Sequence, residues 1–258
     1  MQDRERPRSQ IFVTAFARGL AVIQAFEGSR QPLSLAEIAA RAGVDRAVAR
    51  RSLLTLIELG FAVMERKHYR LAPAVLRLGY SYLSQCGTDG VLQPFVERVA
   101  RQIGESCSVT ILDELETVSV AHAPSPIHKM GFLSTPGTRM PAYVMTSGRV
   151  LLAGRSDPEV RDALGRMDRK AYTAKTVTDL ASLAAIIRET RRAGFTSIDS
   201  ELEEGLLSIA VAIRNRRGEI AASLNVSSSA TRTSIAALGD TALPIMRETA
   251  AEIGKILP

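Results

Sequence analysis

Ser34-Leu35-Ala36-Glu37-Ile38-Ala39-Ala40-Arg41-Ala42-Gly43-Val44-Asp45-Arg46-Ala47-Val48-Ala49-Arg50-Arg51 is the stretch that decides how the first third of the chain folds. Ser34 with Glu37 three residues on is a capping box, in which hydroxyl and carboxylate each satisfy a backbone N–H left unpaired at a helix start. Leu35, Ile38 and Ala39 then fall on one side of the helix that follows. Gly43 ends it, because glycine takes the positive φ of a tight turn without a Cβ clash, and Val44 plugs the space between two helices. Asp45 is placed to cap a further helix reaching about Leu59, with Val48, Ser52, Leu56 and Leu59 inward and Arg46, Ala47, Arg50 and Arg51 toward solvent. Upstream, Phe16, Leu20, Ile23 and Phe26 recur at helical spacing until Gly28-Ser29-Arg30-Gln31-Pro32 breaks the pattern.

Two helices joined by a short glycine turn, the second cationic at its start, make a helix-turn-helix whose second helix enters the major groove of double-stranded DNA. There arginine donates to guanine, and small residues such as Ala47 and Ala49 allow close approach. Phe61-Ala62-Val63-Met64 and Tyr69-Arg70-Leu71 read as two strands joined by the charged tip Glu65-Arg66-Lys67-His68, a wing that lacks the glycine a tight hairpin favours. Such a tip sits on phosphates and adds salt-sensitive affinity. Charge agrees: residues 1–80 hold thirteen Lys and Arg against seven Asp and Glu, so the whole net charge of +6 comes from them, while the other 20 basic and 20 acidic side chains cancel. A polyanion partner is expected for this part alone.

At 258 residues, 46% hydrophobic and 23% charged, the chain can bury one large core or two modest ones without disulfides. It has no run of eighteen apolar residues, and the charged start Met1-Gln2-Asp3-Arg4-Glu5-Arg6 lacks an export signal's apolar stretch, so a soluble, cytoplasmic protein is expected. Cys86 and Cys107 are read as small apolar side chains, and His68, His122 and His128 are too scattered to hold a metal. No cofactor is expected. Ser147-Gly148 lacks a nucleophile-elbow frame, and Glu201-Leu202-Glu203-Glu204 reads as a solvated loop, so no catalytic residue is assigned.

A linker helix from about Pro73 to Cys86 and a hinge at Gly87-Thr88-Asp89-Gly90 divide the chain into a winged helix-turn-helix domain (1–72), a linker and hinge (73–90) and a second domain (91–258). In the last, helices are expected around Leu92–Ile103, Thr146–Ala153, after Asp157-Pro158, from Asp179 to Ala193 and over Ile235–Ile256. Strands are expected near Cys107–Leu112, Thr117–Ala123, Thr196–Ser200, Ile209–Arg214 and Ile220–Val226, an α+β domain with an antiparallel sheet. Met140, Tyr143, Leu206 and Ser208 could line a mostly apolar pocket, with the helix start at Thr146-Ser147-Gly148 and the cation Arg139 suiting a carboxylate.

Several segments resemble the IclR family of bacterial transcriptional regulators. They are Phe16-Ala17-Arg18-Gly19-Leu20-Ala21-Val22-Ile23, the stretch Arg51–Phe61, Gly137-Thr138-Arg139-Met140-Pro141-Ala142-Tyr143, Thr146–Ala153 and Gly194–Val211. Glu105-Ser106-Cys107-Ser108-Val109 and Leu224-Asn225-Val226-Ser227 look most like the subgroup that regulates the β-ketoadipate pathway, the PcaR, PcaU and PobR type. The resemblance implies a GAF-like effector domain and a homodimer or dimer of dimers on a palindromic operator. It also implies a carboxylate effector from aromatic catabolism, such as protocatechuate, 4-hydroxybenzoate or β-ketoadipate, and often activation of transcription. It carries effector binding onto Thr146, Ser147, Asp199, Ser208 and Asn225, which join Arg139, Tyr143 and Leu206. The expected DNA contacts are Arg18, Ser34, Arg46, Ala47, Arg50, Arg51, Arg66 and Lys67. Two rival readings stay open at this point: an acyl-transfer or hydrolytic enzyme using Ser147 or Ser208, and a nucleic-acid packing protein without effector.

Overall fold

The computed structural model describes residues 11–29, 31–79, 90–127 and 135–257. Two compact units, Met1–Tyr82 and Leu83–Pro258, make up the chain. Of the expected linker and hinge, residues 80–89 lie outside the described residues, as do Cys86 and His128; Pro73–Val75 is a 3-10 turn and residues 76–79 are helical.

The first unit contains α1 (Thr14–Gln24), α2 (Leu35–Ala42), α3 (Arg46–Glu58), β1 (Leu33–Ser34), β2 (Ala62–Glu65) and β3 (His68–Leu71). Its small antiparallel sheet runs β1-β3-β2, the wing expected from sequence with one further short strand. The capping box is formed: the Glu37 carboxylate accepts from Ser34 N at 2.8 Å, and Ser34 Oγ accepts from Glu37 N at 3.3 Å. Gly43 ends α2 in the left-handed region at φ 62°. Asp45 precedes α3 but contributes no side-chain cap.

Two faces differ from the sequence reading. The buried seam of α3 is Ala49, Leu53 and Leu56, while Leu59 is 59% exposed, because this helix wedges against both α1 and α2. Ala49 is therefore core and not a DNA contact. In α1, Val22 is the fully buried residue and Phe16 is 68% exposed. Phe16, Leu20, Leu59, Phe61 and Leu78 line an open apolar groove beside α3.

The second unit contains α4 (Gln93–Ile103), β4 (Ser106–Asp113), β5 (Glu116–Ala123), β6 (Arg139–Pro141), α5 (Thr146–Leu152), α6 (Asp157–Arg166) and α7 (Leu180–Ala193). It ends with β7 (Phe195–Asp199), β8 (Leu206–Arg214), β9 (Ile220–Ser229) and α8 (Ile235–Gly254). One antiparallel sheet has the order β6-β5-β4-β9-β8-β7.

Strand alternation gives that sheet two unlike faces. Cys107, Val109, Leu207, Ile209, Val211, Leu224 and Val226 form the apolar face, against which Val96 and Val99 of α4 and Leu238, Met246 and Ile253 of α8 pack. Burial there raises the Cys107 thiol pKa well above its usual range, so it packs as an apolar group. The opposite face carries Ser106, Ser108, Thr110, Thr117, Ser119, Ser208, Asn225 and Ser227, and α5 lies against β4, β8 and β9 on that side. A second core joins α5, α6 and α7 through Leu152, Val160, Leu164, Leu183 and Ile187. Sandwiching the sheet between α4 and α8 on one side and α5 to α7 on the other leaves a space where α5 begins.

Candidate functional site

That space is a pocket lined by hydroxyls of the sheet and by Met140, Val144, Met145, Ile198, Leu202 and Leu206. Ligand sites typically have apolar walls and a few polar groups that fix the ligand's orientation. Here the polar groups are neutral. Among the described lining residues there is no Lys, Arg, Asp or Glu, and His122 is the one titratable side chain.

Five of the eight effector residues expected from sequence come together here: Thr146, Ser147, Leu206, Ser208 and Asn225. Thr146 Oγ1 and Ser208 Oγ each lie 2.7 Å from Asn225 Oδ1 and donate to it, and Asn225 Nδ2 donates to Ser227 Oγ at 3.1 Å. This network ties the first residue of α5 to β8 and β9. Met145, which precedes α5, offers no side-chain acceptor to the backbone N–H groups of its first turn.

The other three lie elsewhere. Arg139 sits on the edge strand β6 and forms ion pairs with Asp113 at 2.7 Å and Glu116 at 2.8 Å, which hold its pKa up. Tyr143 is fully buried in the α5–α7 core, its hydroxyl donating to the Lys170 carbonyl at 2.6 Å. Asp199 points outward to Lys175 and accepts from the Ser200 hydroxyl, which lowers its pKa.

The acidic run 201–204 is not wholly solvated. The Glu201 carboxylate is buried against the fully buried Arg149, accepting from Nη1 at 2.9 Å and Nη2 at 2.6 Å, while Arg149 Nε donates to the Tyr143 carbonyl. Val177 N donates to the same carboxylate. With every polar group used, the pair fixes α5 to the loop that carries Leu202 into the pocket wall.

Sequence reading missed Ser106, Ser108, Thr110, Thr117, Ser119 and His122. The signal was present: Ser106-x-Ser108-x-Thr110 and Thr117-x-Ser119 put hydroxyls at alternate positions of strands whose other positions are apolar.

In the first unit, Arg46, Ala47, Arg50 and Arg51 are all exposed on α3, and Arg18 is exposed on α1. Arg51 lines the apolar groove shared with α1, whereas Arg46 and Arg50 do not. Ser34 is occupied in its capping box. Arg66 and Lys67 form the whole two-residue wing turn between the paired Glu65 and His68, both with positive φ, 49° and 67°. Two consecutive left-handed residues define the hairpin turn that usually demands Asn-Gly, here made by two cations at the cost of strain. Among the described residues none of Arg18, Arg46, Arg50, Arg51, Arg66 and Lys67 pairs with a carboxylate, so their charge is available to an outside anion.

A winged helix-turn-helix unit with unpaired cations and a pocket-bearing α+β unit define a DNA-binding regulator. The pattern of the IclR helix-turn-helix domain matches residues 15–65, and that of the bacterial transcriptional regulator IclR C-terminal domain matches residues 80–255. The Pca regulon regulatory protein of Pseudomonas putida is 40% identical over 235 residues, 91% of this chain and 81% of its own. A transcriptional-regulator structure from Rhodococcus sp. RHA1 is similar at 41% identity and a TM-score of 0.84, covering 95% of this chain and 98% of that one. The inducer-binding domain of the PobR transcription factor from Acinetobacter, a double mutant bound to 3-hydroxybenzoic acid, is 28% identical with a TM-score of 0.61. It covers 65% of this chain and 98% of its own. The chain belongs to the IclR family of bacterial transcriptional regulators. It is a DNA-binding transcription regulator and not an enzyme, and among the described residues no helix is long and apolar enough to cross a membrane.

Proposed function

We propose that the chain regulates genes of aromatic catabolism by sensing a small aromatic carboxylate in the pocket between the sheet and α5. The observation that carries this is the pocket itself: apolar walls around neutral hydrogen-bonding groups, on a fold whose Acinetobacter relative holds a hydroxybenzoic acid. Thr146, Ser147, Leu206, Ser208 and Asn225 are the proposed effector contacts, joined by the sheet hydroxyls. Arg46, Ala47 and Arg50 are the proposed base readers. Arg18, Ser34, Arg51, Arg66 and Lys67 are the proposed backbone contacts.

The boundaries proposed are 1–72 for the DNA-binding domain, 73–90 for linker and hinge, and 91–258 for the effector domain. The chain acts in the cytoplasm, where its DNA is, as a homodimer or dimer of dimers. The open groove of Phe16, Leu20 and Leu59 is the apolar surface a second copy would cover. A thermal-shift screen against aromatic acids, dicarboxylates and short keto acids tests the ligand class, since a ligand bound only by the native state raises the melting temperature. Stabilisation by aromatic acids supports the reading; stabilisation only by aliphatic acids, or by none, removes it.

A further inference from the structure

Two buried side-chain polar atoms have no hydrogen-bond partner among the described residues, Ser119 Oγ and His122 Nδ1, and both belong to residues lining this one pocket. A buried polar atom left unpaired is costly, so two of them in one cavity call for a partner that is itself polar.

Their juxtaposition is built by a bulge. Val109 pairs with Ala121 and Thr110 with Ser119, so Val120 has no opposite number on β4. The extra residue shifts the alternation of β5. His122 and Ser119, three apart in sequence, thereby face the same side, while Ala121 and Ala123 stay in the apolar core. A regular strand would have turned one of the two away from the pocket.

Elsewhere in the pocket, the Thr146, Ser208 and Asn225 groups are engaged with one another, whereas Ser119 and His122 on β5 each carry a buried polar atom without a partner among the described residues. His122 pairs across β4 at Ser108, and Ser108 pairs with Asn225. His122 and Asn225 are thus two strand spacings apart, about 10 Å between backbones. A benzene ring with polar groups at opposite ends spans a comparable distance. Burial lowers the His122 pKa, so at neutral pH the imidazole is uncharged and Nδ1 can accept or donate one hydrogen bond.

We propose that Ser119 and His122 form a subsite of this pocket that reads a ring hydroxyl of the bound effector, directing that group at β5. The inference rests on the reading of the pocket as an aromatic-acid site and narrows it. A hydroxyl suits the pair because it donates and accepts at once, whereas a second carboxylate would meet no cation there.

The test is titration calorimetry of the full chain with benzoate, 3-hydroxybenzoate, 4-hydroxybenzoate and 3,4-dihydroxybenzoate. The native protein is expected to bind at least one hydroxylated acid about tenfold or more tightly than benzoate, the effect of roughly one net hydrogen bond. Ser119→Ala and His122→Phe are expected to shrink that ratio to about twofold or less with benzoate affinity kept, and His122→Asn to retain part of it. Ser119→Ala removes a single oxygen and keeps the test open if the bulkier change disturbs folding. A preference for hydroxylated acids that survives both substitutions would overturn the subsite while leaving the aromatic-acid pocket standing. Failure of the native protein to bind any of the four would overturn both.

Discussion

Gly148, in the first turn of α5, sits where backbone meets backbone. A Cβ added there would lie 2.1 Å from the Ala142 carbonyl oxygen and 2.5 Å from its Cα, and neither can step aside as a flexible side chain would. Gly148→Ala is expected to cost about 3 kcal/mol or more of effector-domain stability, measured by chemical denaturation. Gly165→Ala on α6, where a Cβ meets nothing within 4 Å, is the control and should be neutral or stabilising by up to about 1 kcal/mol. Glu201→Gln tests the buried pair. Arg149 would keep its charge but lose its counter-charge, at an expected cost of about 3–5 kcal/mol. His122 adds a pH dependence whose sign follows from burial. Its folded pKa lies below the ordinary value of 6.5, so as pH falls through 6.5 the unfolded chain binds the proton first and stability is lost. The stability of the native protein relative to His122→Asn should therefore decline between pH 7.5 and 5.5, and a constant difference would mean that the imidazole is not desolvated.

Among the elements, the proposed assignment gives base reading to α3 and backbone contact to the wing. Arg50→Ala on α3 should cost about 1–3 kcal/mol at the preferred sequence and relax the choice at one base pair, read by binding to a library of single-base variants. A uniform loss over all sequences would make Arg50 a phosphate contact. Replacing Arg66-Lys67 by Asn-Gly relieves two left-handed cations, so the hairpin should gain stability while DNA affinity falls and its salt dependence becomes shallower. Most elements were legible because their signals are local: the Ser34–Glu37 box, Gly43, and Asp179, whose carboxylate accepts from Ser182 N at the start of α7. What escaped depends on contacts distant in sequence. The strands β1 and β6 are two and three residues long and exist only through pairing with β3 and β5. The rotation of α3 toward Ala49 and Leu53 is set by its two neighbours, and the bulge at Val120 shows only against the register of β4. The sequence suggests Arg139 as a cation for a carboxylate and the family resemblance suggests Asp199, yet their charges are met by nearby partners, and no Lys, Arg, Asp or Glu is among the described pocket-lining residues.

Across the whole molecule, a DNA-reading unit and a ligand pocket in one chain imply that occupancy of the second alters what the first does on DNA, which a ligand achieves only by binding one state of the protein better than another. Ser208→Val removes a hydroxyl from the network that ties α5 to the sheet and is expected to blunt the ligand response while the DNA-binding unit stays intact. The most direct measurement is in vitro transcription from a promoter carrying a site selected by this chain from random-sequence DNA, with increasing hydroxybenzoate, for the native protein and for Ser208→Val. The expected result is a dose-dependent change in transcript for the native protein and a flattened or displaced dose curve for the variant, with both occupying the site. Identical dose curves, or transcription indifferent to an acid that the protein binds, would contradict it.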